Sequence, residues 1–159
     1  MKIGDMIEIT RGTYNHWALY IGNGKVIHVV TPDGSGVLTA FSSSSPSVSC
    51  KGMIIIDTLK AVADGNPYKI NNYLDNKYKP RRTDVIMEDV DILKGRTIKY
   101  GLLGRNCEHF VTFLRYGKSK SKQADDFLKN LFIASGLLGG VAVVAAVASV
   151  AVALIKVFK

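Results

Sequence analysis

Cysteine, histidine, proline and tryptophan are all scarce in this chain, numbering two, three, four and one in 159 residues. Two cysteines, Cys50 and Cys107, do not make the disulfide framework of a small secreted domain, which points to a reducing compartment. No paired Cys-x-x-Cys or His-x-x-x-His anchor is present, so a zinc site built from Cys107, His16 and His28 is disfavoured and no metal or cofactor is expected. Acidic residues are outnumbered, with 13 Asp and Glu against 21 Lys and Arg, and the net charge is +8. That balance favours an anionic partner, either nucleic acid or an anionic membrane surface. The interleaved aromatic and basic residues of RNA-binding modules are missing, which argues against nucleic acid. There is no internal repeat. Met1 to Thr10 carries Asp5 and Glu8 and no long apolar run, so no secretory signal is expected there.

One long stretch lacks charge altogether. From Leu131 to Ile155 Val, Ala, Leu and Ile dominate; as a helix this run is about 37 Å long, against a hydrocarbon core of about 30 Å. It reads as a single membrane-spanning helix. Lys118, Lys120, Lys122 and Lys129 precede it, while Lys156 and Lys159 follow. The denser cluster places the preceding domain on the cytoplasmic side, as a single-pass protein with a basic segment against anionic headgroups. The expected organisation is a folded domain over 1–117, a basic juxtamembrane linker over 118–130, a transmembrane helix over 131–155 and a short tail over 156–159.

Within the folded part, Gly4 to Thr10 predicts a strand. His16 to Ile21 and Lys25 to Val30 predict two arms of a hairpin around Gly22-Asn23-Gly24. Thr31 to Ser49 reads as a loop, and Met53 to Leu59 as a buried strand. Asp64 to Pro80 reads as irregular loop with short extended pieces. Thr83 or Asp84 can cap a helix running to about Lys94, with Val85, Ile86, Val90 and Leu93 inward and Gly95 at its end. Thr97 to Leu103 is a connector. Asn106 can cap a further helix that carries Cys107 in its first turn, buries Phe110, Phe113 and Leu114, and stops at Gly117. Strands first and helices later predict an α+β fold with a small antiparallel sheet.

A thiol at a helix N-terminus meets the positive end of the helix dipole, which favours the thiolate. One unit of pKa lowering requires about 1.4 kcal/mol, more than the dipole supplies, so a nucleophilic Cys107 also needs a histidine. His109 lies two positions on, about 200° around the helix, and is assigned a capping or packing role. His16 and His28 lie on opposite arms of the hairpin. A two-residue Asn23-Gly24 loop pairs Gly22 with Lys25 and Leu19 with His28, and puts the histidines on opposite faces. A three-residue Gly22-Asn23-Gly24 loop pairs Ala18 with His28 and makes the histidines diagonal neighbours, about 7–8 Å apart at their backbones. The three-residue loop is the expected one, with Gly24 in the left-handed region. Cys107 would then attack an acyl carbonyl, with one histidine moving the proton and the other orienting it. His16, at the rim of its strand, suits the base, and His28, deeper in its own, suits the orienting role.

His16-Trp17-Ala18-Leu19-Tyr20-Ile21-Gly22, His28 and Asn106-Cys107-Glu108-His109-Phe110-Val111 together resemble the lecithin–retinol acyltransferase-like family, in its phospholipase A and acyltransferase (HRAS-like suppressor) branch. Asn71-Asn72 with Asp75, Lys77, Tyr78 and Pro80, then Arg115-Tyr116-Gly117 and the hydrophobic tail, extend the resemblance over essentially the whole chain. It implies a circularly permuted papain-like fold and a Cys-His-His triad: Cys107 as nucleophile, His16 as base and His28 as third member. Tyr14 matches a family tyrosine that helps to hold the oxyanion, while Asn15 stands where close relatives often carry a basic residue. The implied chemistry takes a fatty acyl group from the sn-1 or sn-2 position of a glycerophospholipid through a Cys107 thioester. The acceptor is water, an amine lipid or a lysophospholipid, and no metal is required. The tail supplies the bilayer in which the substrate resides. Two other readings are weighed. One is a tail-anchored module that remodels membranes or recruits a partner without catalysis. The other is a cysteine peptidase or amidase, which would give no reason for the tail.

Overall fold

A computed structural model describes residues 1–31, 51–99 and 106–118. Apolar alternation punctuated by turn residues produces four strands in succession: β1 (Met6–Arg11), β2 (Tyr14–Gly22), β3 (Lys25–Val30) and β4 (Lys51–Thr58). Each pairs antiparallel with the next. Two short strands flank them, β5 (Tyr68–Ile70) on β1 and β6 (Thr97–Lys99) on β4, so the sheet order is β5-β1-β2-β3-β4-β6. Among the described residues three helices accompany the sheet: α1 (Leu59–Ala63), α2 (Thr83–Leu93) and α3 (Asn106–Tyr116). A small antiparallel sheet with a few helices is the α+β class expected.

Because side chains alternate across a strand, the sheet buries two different faces. On one, Met6, Trp17, Leu19, Ile27, Val29 and Ile54 pack against Ile86, Val90 and Leu93 of α2 and Phe110, Val111, Phe113 and Leu114 of α3. On the other, Ile7, Ile9, Ala18 and Val26 pack against Leu59 and Val62 of α1. Phe110, Phe113 and Leu114 are essentially inaccessible, and each such side chain stabilises the fold by about 1.5–3 kcal/mol relative to exposure.

The β2–β3 hairpin departs from the expected loop. Gly22 pairs with Lys25, so the turn has two residues, Asn23 and Gly24, at φ 51° and 69°. Two consecutive positive φ values make the primed turn that matches strand twist. The ladder then shifts between Tyr20 and Gly22, and below the shift Ala18 pairs with His28. The extra residue that the loop was expected to hold is carried by a bulge at Ile21, where Gly22 adopts φ 96°. The predicted partner of His28 is therefore correct, and the predicted route to it is not.

Helix α1 was hidden in sequence at the end of the β4 run. Thr58 terminates the strand and caps the helix, its hydroxyl accepting from the Ala61 amide at 3.2 Å. Helix α2 starts from Arg82, which makes no side-chain cap, rather than from a Thr83 or Asp84 cap. Its inward positions are Ile86, Asp89, Val90 and Leu93, with Val85 half-buried. Asp89 is tolerated in the core because Arg81 Nη1 lies 2.6 Å from its carboxylate. Gly95, at φ 79°, ends this helix as expected, and Gly117, at φ 70°, ends α3 by donating its amide to the Phe113 carbonyl at 2.7 Å. Helix α3 begins at Asn106 itself; the capping role expected of the Asn106 side chain lies outside what is described. The Thr31–Ser49 loop beyond Thr31, Cys50 and the 131–155 run also lie outside the described residues. Among the described residues no helix is long and apolar enough to cross a membrane.

The C-terminal end of α3 is fastened to the start of the chain. Arg115 donates from Nε and Nη2 to the Asp75 carboxylate at 2.9 and 2.8 Å, and from Nη1 to the Gly4 carbonyl at 2.6 Å. Tyr116 donates to the same carboxylate at 2.8 Å. Asn72 completes the clamp, accepting from the Met6 amide at 2.9 Å and donating to Asp5 at 3.0 Å. Gly4 is required here: its φ is 92°, and a Cβ would meet Ile86 Cδ1 at 3.0 Å. Replacing buried Arg115 by Met strands the Gly4 carbonyl and removes two of the three hydrogen bonds described to the Asp75 carboxylate. The expected loss is about 2–3 kcal/mol, below the value for a fully buried pair because Asp75 is half-exposed; equilibrium urea unfolding measures it.

Candidate active site

His16 sits on β2 opposite Ile9, and His28 on β3 opposite Ala18. The shared face of His16, Ala18 and His28 brings the imidazoles together as diagonal neighbours. Their ring centroids are 5.1 Å apart in a T-shaped arrangement, and His16 Nε2 lies 2.9 Å from His28 Nδ1. Both are buried, at 1% and 4% exposure. The expected contrast between a rim His16 and a deeper His28 is absent: β2 begins two residues earlier, at Tyr14, so His16 does not lie at its end. Tyr14, two positions before His16 on the same strand face, is half-buried opposite Arg11.

The far side of His28 meets a residue that was missed in sequence. Asp57 of β4 pairs with Val26, which places it on the histidine face, and its Oδ2 lies 3.4 Å from His28 Nε2. The signal was a lone carboxylate closing the apolar run Ile54-Ile55-Ile56. Desolvation depresses the His16 pKa to about 3, with the neighbouring His28 and Arg11 charges adding to the effect. Burial also lowers the His28 pKa, opposed by its bond to Asp57.

Cys107 enters from the other side of β2. Helix α3 lies on the Trp17 face, and half-buried Cys107 packs against that core. Its first turn is held there by Glu108, which accepts a hydrogen bond from the Tyr73 hydroxyl at 2.5 Å, while the Tyr73 ring lies 5.9 Å from that of Trp17. Pairing between β2 and β3 ends at Ala18–His28, although both strands run on. Tyr20 donates its amide to Asp5 on the β1 side, so by alternation the Trp17 amide points to the side where β3 has parted. It interacts there with the Cys107 sulfur. The sulfur and the imidazole pair thus flank the same short piece of β2. No hydrogen bond joins them: His16 Nδ1 is buried without a partner among the described residues.

Burial pushes the Cys107 thiol above its ordinary range, outweighing the Trp17 amide and the helix-end amides that favour the thiolate. The helix-end amides favour the thiolate as expected, and desolvation outweighs them. His109 is half-buried on α3, and its carbonyl accepts from the Thr112 hydroxyl at 3.0 Å. Among the described residues, no three of His, Cys, Asp and Glu converge as metal ligands.

Comparison with known proteins adds an independent finding. A family model described as Lecithin retinol acyltransferase matches residues 1–120. "Phospholipase A and acyltransferase 4" of Homo sapiens is 44% identical over 147 residues, covering 91% of this chain and 86% of the relative. "Phospholipase A and acyltransferase 1" of Rattus norvegicus is 38% identical, covering 84% and 80%. "Phospholipase A and acyltransferase 2" of Homo sapiens is 36% identical, covering 90% and 88%.

Two measurements check the electrostatics. Between pH 6.5 and about 3 the unfolded chain protonates His16 while the folded form does not. The stability this group contributes is therefore complete above pH 6.5 and declines on acidification, by up to about 1.4 kcal/mol per pH unit. Unfolding titrations of wild type and His16→Gln should differ in slope over that window. Alkylation of Cys107 by iodoacetamide, followed by mass spectrometry, should be slow at neutral pH and rise steadily with increasing pH; rapid labelling at pH 6 would instead report a thiolate.

Proposed function

The chain belongs to the lecithin retinol acyltransferase family, and from that membership we propose that it is a phospholipase A and acyltransferase working through a thiol. Two groups of observations support this reading. One is the activity named for relatives that match most of the chain at 36–44% identity. The other, which carries the mechanism, is the buried His16–His28 pair beside the strand against which Cys107 packs. In this reading the sheet and α3 form a permuted papain-like domain over 1–117. Cys107 is the nucleophile, His16 the base, His28 the group that orients it, and Tyr14 an aid to the oxyanion.

The chemistry follows from the charges. With the thiol pushed up and the imidazole pushed down, the resting pair is neutral. The proton therefore leaves sulfur in step with attack on the acyl ester carbonyl, not beforehand. His16 Nδ1, the nitrogen not used by His28, takes it, and the thiol–imidazole contact forms as substrate seats. Active-site hydrogen bonds commonly tighten in this way. Collapse of the tetrahedral intermediate breaks the ester C–O bond, and His16 returns the proton to the leaving lysophospholipid alkoxide. Water, an amine lipid or a lysophospholipid then attacks the thioester while His16 takes the acceptor's proton; collapse breaks the C–S bond, and His16 returns that proton to the Cys107 sulfur, restoring the neutral pair. Neither carbonyl step calls for a metal or a cofactor.

The same reading makes 131–155 a membrane-spanning helix, 118–130 a basic linker against anionic headgroups and 156–159 a short tail, with the catalytic domain facing the cytoplasm. Such tethering keeps the thiol beside a phase made of acyl donor.

Full-length protein in phosphatidylcholine mixed micelles should release fatty acid and lysolipid and carry an acyl adduct on Cys107, seen by intact-mass analysis. Cys107→Ala should abolish both; equal product formation by that variant sinks the mechanism and favours a non-catalytic membrane-remodelling or recruitment module. Deleting 131–159 should remove flotation with phosphatidylcholine–phosphatidylserine vesicles.

A further inference from the structure

The site as proposed has a base and an orienting imidazole, and nothing yet fixes which nitrogen of each ring carries the proton. We propose that Asp57 is a positioning residue that sets both tautomers, holding His28 as the Nε2–H form so that His16 presents a bare Nδ1 to the thiol. The inference rests on the catalytic reading of Cys107 and His16 for its kinetic consequence, and on geometry alone for its structural one.

The argument is an accounting of donors. A carboxylate only accepts, so at 3.4 Å the partner of Asp57 Oδ2 is a proton on His28 Nε2. A neutral imidazole carries one N–H, so His28 Nδ1 is then an acceptor. The 2.9 Å contact between that atom and His16 Nε2 requires the donor to be His16. His16, neutral in turn, is left with a lone pair on Nδ1, which is the buried atom with no partner among the described residues. An unpartnered polar atom at a nearly inaccessible position is costly unless it has a use. The opposite assignment would place a proton on His16 Nδ1, where it cannot accept one from sulfur, and would set the His28 Nε2 lone pair against the Asp57 carboxylate.

The strands explain why Asp57 is the residue that can do this. Val26 pairs with Asp57, and His28 lies two positions along on the same strand, so carboxylate and imidazole are diagonal neighbours. The neighbouring strands present three ionisable groups toward His28: Arg11 from β1, His16 from β2 and Asp57 from β4. Asp57 is the only acid among them, and its side chain is 47% exposed. Its effect is accordingly moderate. Partners that orient a metal-binding histidine are worth about 10–100-fold and the buried carboxylate of a catalytic triad up to about 10⁴-fold; a 3.4 Å contact at a half-exposed carboxylate belongs at the low end, near tenfold.

The test uses full-length protein in detergent micelles with specifically ¹⁵N-labelled histidine. Long-range ¹H–¹⁵N spectra at neutral pH should show both His16 and His28 as Nε2–H tautomers. In Asp57→Ala the His28 ring should redistribute toward Nδ1–H and its titration midpoint should fall, with the urea midpoint checked against wild type. Phosphatidylcholine hydrolysis by that variant should lose about tenfold in kcat with KM little changed, and Asp57→Glu, which keeps an acceptor within reach, should recover most of it. An unaltered His28 tautomer in Asp57→Ala, or kcat within twofold of wild type, overturns the assignment. Wild-type protein without lipid hydrolysis would refute the catalytic reading instead, and the spectra would still decide the tautomer.

Discussion

The register between β2 and β3 is the constraint on which the site depends. A one-residue slip in a strand carries every side chain to the other face of the sheet. The bulge at Ile21 supplies that slip after a two-residue turn, and so puts His16 beside His28 rather than behind it. The same parity seats Trp17 and Leu19 in the core with α3 and leaves Ala18 beneath α1. Packing and chemistry therefore specify the same alignment: with β2 held on β1, a slipped β3 would carry His28 into the apolar interface with α3 and take Ile27 and Val29 out of it.

Much of this was legible from residue order. The runs that became β1 to β4, the helix from Asn106 to Gly117 and the pairing of Ala18 with His28 all follow from period and turn chemistry. What was illegible has identifiable causes. A bulge and a longer loop insert the same extra residue, so Gly22-Asn23-Gly24 does not distinguish them, although either alignment brings the histidines together. Helix α1 is a single turn following an apolar strand without a break, and only Thr58 marks the junction. Asp57 reads as an isolated acid until β4 is paired with β3. Burial of Cys107 is a tertiary effect, and local helix electrostatics predict the opposite outcome.

That burial gives the site its chemical character. A preformed thiolate–imidazolium pair would be open to alkylation and oxidation whenever exposed to solvent. In the proposed mechanism both partners rest neutral, so the ion pair is created by the reaction itself, where developing charge on sulfur meets the Trp17 and α3 amides. On the proposed reading such a site is quiet in water and becomes active with an ester in place, a conditional reactivity that suits a domain tethered at a lipid surface.

The bond between Arg115 and the Gly4 carbonyl spans 111 positions of the chain. Contacts of such separation close late, since the intervening chain must first be ordered. The β2–β3 hairpin, by contrast, needs only local sequence and forms as soon as it is available. Because domains are synthesised from the N-terminus, the histidine half of the site can assemble while the cysteine half is still being made. Arg115 and Cys107 belong to one helix, so the bond that fastens Arg115 to Gly4 also helps to hold Cys107 against the core.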